Sequence, residues 1–278
     1  MKTIGFADYY LNEWHADNYP GWIEQINRET DSDFAVAYGW AEQSDSADWW
    51  CQKFGAQKCN SLEELCEKAD YILILAPSDP EKHLEYARRV LPFGKKTYID
   101  KTFAPDLATA KQIIACAKAY GTEFFSTSAL RYASELVPYA GTDSLVTTGG
   151  GSSIGEYIIH QIEMVVKVMQ CRAEALRVDR QKGEYLIRLR YPNEKEATML
   201  YANPLPFSVL GQYAGSEQFS EIRSAYFPEL IRDILHFFDT GEKSFDPWET
   251  LEVMRIREAV LRGCETPGEW IALANSQN

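Results

Sequence analysis

The chain lacks any apolar run approaching the twenty or so residues that a membrane-spanning helix needs. It has no Cys-x-x-Cys pair. Its six cysteines (51, 59, 66, 116, 171 and 264) and four histidines are scattered, without metal-ligand spacing. That pattern excludes a zinc site and a redox dithiol, and the thiols read as reduced packing residues of a cytoplasmic protein. Basic residues are few, 28 Lys and Arg against 41 Asp and Glu, a formal charge of −13. A surface for nucleic acid or for an anionic membrane would need the opposite balance. There is no internal repeat and no low-complexity linker. Lys2–Ala7 reads as a first strand, and no long apolar stretch follows it as a signal peptide would require.

The 278 residues suffice for one large domain or two ordinary ones, and 45% of them are hydrophobic, enough for a substantial core. Aromatics are abundant, with seven Trp and sixteen Tyr. Most serve the core and subunit contacts; some suit a site for a ring-shaped ligand such as a carbohydrate.

Residues 1–122 alternate strand and helix signals. Strands are expected at Lys2–Ala7, Asp33–Tyr38, Asp70–Leu75, Lys96–Asp100 and Glu123–Ser128. Asp70–Leu75 is a continuous apolar run, as a strand buried on both faces requires. Ser61 and Glu64 form a capping box. Asp79 and Pro80 open a helix to about Leu91. Asp106 caps another, which Gly121 stops after Tyr120. Pro20-Gly21 is expected to interrupt the first helix. Such alternation implies a parallel, doubly wound sheet.

Beyond about residue 141 the pattern changes. Gly149-Gly150-Gly151 reads as a flexible loop and Glu156–Gln170 as a helix. Strand-like runs follow at Ala175–Asp179, Tyr185–Tyr191, Thr198–Ala202 and Phe207–Tyr213, which imply an antiparallel sheet. Helices Tyr226–Asp239 and Trp248–Gly263 close the chain. The expected division is 1–122 and 123–278.

Three residues make a plausible proton-handling set. Lys101 stands at a strand end, where ligands of open α/β sheets bind. Glu156 and His160 are four apart, on one face of a helix. Lysine and histidine can both be tuned toward neutral pH. The blander alternatives are a surface lysine, a first-turn acid favoured by the helix dipole, and a packed histidine.

Ser61-Leu-Glu-Glu-Leu65, Ala69–Pro77, His83, Gly94-Lys-Lys and Asp100-Lys-Thr-Phe-Ala104 follow one another in an order that resembles the glucose–fructose oxidoreductase / inositol dehydrogenase family (Gfo/Idh/MocA). Asp100-Lys101-Thr102 stands where that family has Glu-Lys-Pro. Glu156 and His160 look like its Asp-x-x-x-His pair, and Phe245–Ala259 is similar to its closing helix. The resemblance implies a Rossmann-like dinucleotide-binding domain followed by an α/β domain on an open antiparallel sheet for substrate and oligomerisation. It also implies NAD or NADP as cofactor, a sugar, cyclitol or related polyol as substrate, and a homo-oligomer. Carried onto this chain, it makes His160 the acid/base, Glu156 its orienting partner and Lys101 a substrate ligand. Cofactor contacts are expected at Gly5, Ala7, Ala76, Pro77, Asp100 and Lys101, with Tyr9 or Trp40 packing on the cofactor. Lys101 and His160 are expected to face one cleft.

The chain departs from the pattern at its first turn. A dinucleotide fingerprint wants Gly-x-Gly-x-x-Gly, but here only Gly5 remains, and Asp8 and Glu13 add negative charge. After the second strand the nearest acid for a ribose is Glu42. Two functions therefore stand side by side: an NAD(P)-dependent oxidoreductase, or a non-catalytic ligand-sensing or interaction protein on the same scaffold.

Overall fold

The computed structural model describes residues 1–213 and 215–273. It divides into two units. Unit 1 comprises Met1–Thr127 and Phe227–Pro247; unit 2 comprises Ser128–Tyr226 and the segment from Trp248 onward. The division follows Thr127, a few residues beyond the expected 122/123, and the segment 227–247 belongs with unit 1 although it lies late in the chain.

Unit 1 alternates strand and helix as expected. Its elements are β1 (Lys2–Asp8), α1 (Trp14–Thr30), β2 (Phe34–Ala41), α2 (Ser44–Phe54), β3 (Gln57–Lys58), α3 (Leu62–Lys68), β4 (Tyr71–Ile74), α4 (Glu81–Val90), β5 (Thr97–Ile99), α5 (Leu107–Tyr120) and β6 (Phe124–Phe125). All six strands are parallel, in the order β3-β2-β1-β4-β5-β6. The order reverses between β1 and β4, so the crevice at their carboxyl ends is the switch point where such sheets take ligands.

The local signals act through identifiable bonds. Ser61 accepts from the Glu64 amide at 3.0 Å, but Glu64 reaches the Asn60 amide (2.7 Å), one residue further out than a reciprocal capping box. Asp106 accepts from the Thr109 amide at 2.7 Å, and Gly121 ends α5 in the left-handed conformation. In α4 the cap is Pro80, one residue later than expected, without a side-chain bond.

Pro20 does not interrupt α1, which runs through it. Proline has no N–H for the carbonyl of Ala16, four residues back. The buried Trp50 indole N–H donates to that carbonyl at 2.9 Å. A side chain from α2 thereby satisfies the acceptor that the proline leaves open.

Unit 2 begins with β7 (Ser144–Gly149) and α6 (Ile154–Met169), then β8 (Ala175–Gln181), β9 (Glu184–Arg190), β10 (Glu196–Tyr201), β11 (Ser208–Tyr213) and β12 (Ser216–Glu221). Next comes α7 (Tyr226–Thr240), which packs in unit 1, and the chain returns through α8 (Trp248–Glu265) and β13 (Trp270–Ala272). The sheet order is β12-β11-β7-β10-β9-β8-β13. It is mixed: β7 and β10 pair in parallel, and every other pair is antiparallel. After the long α6 crossover, β8 and β9 pair as an antiparallel hairpin, and the next strand, β10, lies parallel to β7.

Its inner ladder, Leu145–Ala197–Leu189–Leu176 beside Thr147–Met199–Ile187–Val178, is buried against α6 and α8. The opposite face carries Val146, Thr198, Arg188 and Arg177 with Leu200 and Leu186. The period of two in β10 sorts these sets cleanly.

Helix α7 is held to unit 1 by the stacked rings of Phe238 and Tyr71 (4.8 Å), by Phe237 against Phe125, and by the Lys96 ammonium on the Phe238 carbonyl (2.9 Å). Among the described residues no helix is long and apolar enough to cross a membrane.

Candidate functional site

In unit 1 the strand ends bring together Asp8, Glu13, His15, Asp100 and Lys101. Asp8 is the last residue of β1 and is 1% exposed. Its Oδ1 accepts from the Tyr9 amide (2.6 Å) and the Ala76 amide (3.0 Å), so it stitches the two sides of the switch point together. Its Oδ2 is buried without a hydrogen-bond partner. Burial, and then the Glu13 charge, push the Asp8 carboxyl well above the usual carboxylate range; the amides pull the other way.

Glu13 is the N-cap of α1. Its carboxylate accepts from the Ala16 amide and, at 2.8 Å, from the His15 amide. It also meets His15 Nδ1 at 3.0 Å. The other imidazole nitrogen, Nε2, lies 3.8 Å from Asp100 Oδ2, an oxygen that is itself buried without a hydrogen-bond partner. Tyr98 donates to Asp100 Oδ1 at 3.0 Å. The place of His15 between two carboxylates depends on the sheet order, which brings the end of β5 near that of β1.

Lys101 follows Asp100, is half-buried, and donates to the Pro77 carbonyl at 3.4 Å. The buried His83 meets the carbonyls of Leu75 (2.5 Å) and Phe103 (3.0 Å), fastening the end of β4 to the segment after Lys101. Burial lowers its pKa, against the pull of the two carbonyls.

Gly5 lies inside β1, where a Cβ would come within 2.7 Å of Leu65; its bare backbone admits α3. Ala7 is fully buried in β1. Tyr9 lies under the Lys82 ammonium (5.5 Å) and its hydroxyl accepts from Gln43 (3.2 Å). Trp40 is 7% exposed, packed between Tyr86 and Arg89. Ala76 adopts a positive φ of 49° and Pro77 is buried. Glu42, directly after β2, is held by Lys82 (2.9 Å to both oxygens) and the Tyr86 hydroxyl (2.8 Å). The Lys82 hydrogen bond is the chief cause that lowers its pKa.

In unit 2, Glu156 and His160 occupy one side of α6, both half-buried. His160 Nδ1 is 2.7 Å from Ser128 Oγ, and its ring lies beside Tyr157 and Phe207. The Ser128 amide donates to Glu163 Oε1 (3.1 Å), and Glu163 Oε2 pairs with Arg131 (3.2 Å), which also pairs with Glu249. Burial alone would lower the Arg131 pKa, but the two carboxylates outweigh it and raise it. Sequence reasoning missed Ser128, which lies 32 positions from His160 with no pattern linking them. Ser152 donates to Glu156 at 3.3 Å.

The glycine loop is tightly packed, not flexible. A Cβ on Gly149, Gly150 or Gly151 would collide with the Phe207 ring, the Ala202 carbonyl or the Tyr157 ring. These contacts bring the 202–207 loop and Tyr157 close to the start of α6.

Residues 21–127 match the model of the Gfo/Idh/MocA oxidoreductase family, NAD-binding Rossmann fold. The matched segment lies within unit 1. An uncharacterised Escherichia coli oxidoreductase, YhhX, is 37% identical over 62 residues, 22% of this chain; the match spans 18% of that relative's length. Among solved structures, myo-inositol dehydrogenase from Lactobacillus casei, in complex with NAD(H) and myo-inositol, superposes with a TM-score of 0.80 at 11% identity, over 100% of this chain and 98% of that one. Aldose–aldose oxidoreductase from Caulobacter crescentus, complexed with glycerol, gives 0.78 at 13% identity over 98% and 100%. At such identities these two show the shared fold.

The fold implies a dinucleotide, whose pyrophosphate would sit on the N-terminal amides of α1. The residues there do not fit that group as arranged. Glu13 holds the amides of His15 and Ala16, and Asp8 holds those of Tyr9 and Ala76. Two carboxylates thus occupy positions where a bound phosphate would need neutral or positive surroundings.

Proposed function

We propose that the chain is an oxidoreductase that interconverts a CH–OH carbon and its carbonyl on a sugar, cyclitol or related polyol, with NAD or NADP as redox partner. The observation that carries this reading is the held imidazole of His160. Ser128 fixes its Nδ1 side, while the ring remains half-buried between Tyr157 and Phe207. When Nδ1–H donates to Ser128 Oγ, Nε2 carries the lone pair and can take the hydroxyl proton of the substrate. The family match of unit 1 supports the reaction class.

In this proposal Lys101 donates to the substrate oxygen, and its positive charge favours the alkoxide side of the proton transfer. Glu156, one turn before His160, orients the imidazole in this proposal. Glu163 and Arg131 stand behind Ser128 and keep its backbone in place. We also place the protein in the cytoplasm as a homo-oligomer, joined through the outer face of the unit 2 sheet, where Leu186, Leu200 and Val146 are half-exposed.

The test is a panel of sugars, cyclitols and other polyols with NAD and with NADP, wild type beside His160→Ala. Turnover that falls steeply in the variant supports the reading. A wild type that oxidises none of them, and whose carbonyl counterparts it does not reduce, would shift the reading to a ligand-sensing protein.

A further inference from the structure

We propose that Glu13 is a built-in occupant of the anion site at the N-terminus of α1, and that a dinucleotide pyrophosphate binds this chain only by displacing it. The proposal rests on the oxidoreductase reading only for the identity of the competing anion. A free helix start offers several N–H groups and the positive end of the macrodipole to an incoming phosphate. Here the chain supplies its own anion. Glu13 accepts from the His15 and Ala16 amides, and His15 Nδ1 lies 3.0 Å from the same carboxylate.

The strand-end carboxyl groups beside Glu13 direct an incoming anion to the same amides. Asp8 Oδ2 and Asp100 Oδ2 are both buried and both lack a hydrogen-bond partner. Asp8 also takes amides from both sides of the switch point. Those oxygens need donors, which a pyrophosphate lacks, so the α1 amides held by Glu13 are the donors that an incoming anion would take. The loop from Tyr9 to Asn12 contains no glycine, so the backbone cannot approach a phosphate as a glycine turn would. Binding must therefore start with the departure of the Glu13 side chain, which frees two amides and the imidazole for the incoming oxygens. Cofactor affinity then reports a competition between two anions for one set of donors.

The experiment is calorimetric titration of the full chain with ADP-ribose, which carries the pyrophosphate but no nicotinamide, and with adenosine, which carries neither. Wild type is compared with Glu13→Ser, where the serine hydroxyl still caps α1 without a charge. Glu13→Gln is a second variant that keeps the side-chain length, and thermal melts check that all three are folded. ADP-ribose should bind Glu13→Ser at least about tenfold more tightly than wild type, equivalent to about 1.4 kcal/mol. Glu13→Gln should shift in the same direction, and adenosine should bind all three alike. Equal or weaker ADP-ribose binding by the folded variants, including no binding by any of the proteins, would overturn the proposal. A gain in Glu13→Ser beside a wild type that turns over no polyol would leave this inference standing and remove the oxidoreductase reading. Turnover without that gain would do the reverse.

Discussion

Trp50→Phe should destabilise unit 1 through a single lost hydrogen bond, and Pro20→Ala should cancel that part of the loss. The Trp50 indole is fully buried and donates to the Ala16 carbonyl at 2.9 Å. Phenylalanine removes the donor and leaves that carbonyl unpaired in a dry site, at a cost of about 1–3 kcal/mol. The smaller ring adds a packing loss. In Pro20→Ala, the new amide at position 20 can reach the Ala16 carbonyl along the helix. Trp50→Phe should then cost only the packing loss, so the two substitutions should couple by about 1–2 kcal/mol. Urea unfolding of the four proteins should be followed by far-UV circular dichroism, because removing a tryptophan alters the fluorescence signal. The transition of unit 1 is read separately if the units unfold in two steps. If Trp50→Phe costs the same in both backgrounds, within about 0.5 kcal/mol, the indole is not substituting for the missing amide.

Other expectations follow from the two candidate site regions and from the surface pairs. His160→Ala should lower kcat by about 10²–10⁴-fold while cofactor affinity changes little, read by steady-state kinetics beside direct titration. Lys101→Ala should lower kcat and raise KM together, since its ammonium would touch the substrate oxygen before and during reaction; a KM left unchanged would remove it from substrate binding. The Glu63 carboxyl is held down at about 2, chiefly by its bond to Arg89, although burial opposes this. A depressed carboxyl contributes stability that is present above its unfolded value near 4.5 and is lost as pH falls toward 2. Glu63→Gln should therefore flatten the fall in stability between those pH values. The effect should be modest, because Glu63 is 44% exposed and solvent screens the pair.

The βαβ order, the Asp106 cap and the Gly121 stop were legible because caps and periodicity act within one or two turns. Lys101 at the end of β5 and the Glu156/His160 pair on α6 could be named for the same reason: one is a strand end and the other an i, i+4 spacing. Pro20 was misread as a break. The local rule is sound, but its compensation comes from Trp50 in the next-but-one element, thirty-four positions beyond the Ala16 carbonyl that it satisfies. The triple glycine was misread as flexible because sequence does not reveal which rings press against it.

The amino-acid sequence by itself determined the strand–helix alternation of unit 1 apart from α2, β3 and the continuity of α1, the carboxyl-edge placement of Asp8, Asp100 and Lys101, and the absence of a glycine turn. Tertiary structure alone decided that α7 packs beneath Tyr71 and Phe125, that β7 and β10 pair in parallel, and that Ser128 holds His160. It also decided that His15 stands between Glu13 and Asp100. The reason is range. Propensity, capping and periodicity are set by neighbours a few residues apart, whereas these contacts join residues brought close only when the sheet order forms and apolar faces are buried together.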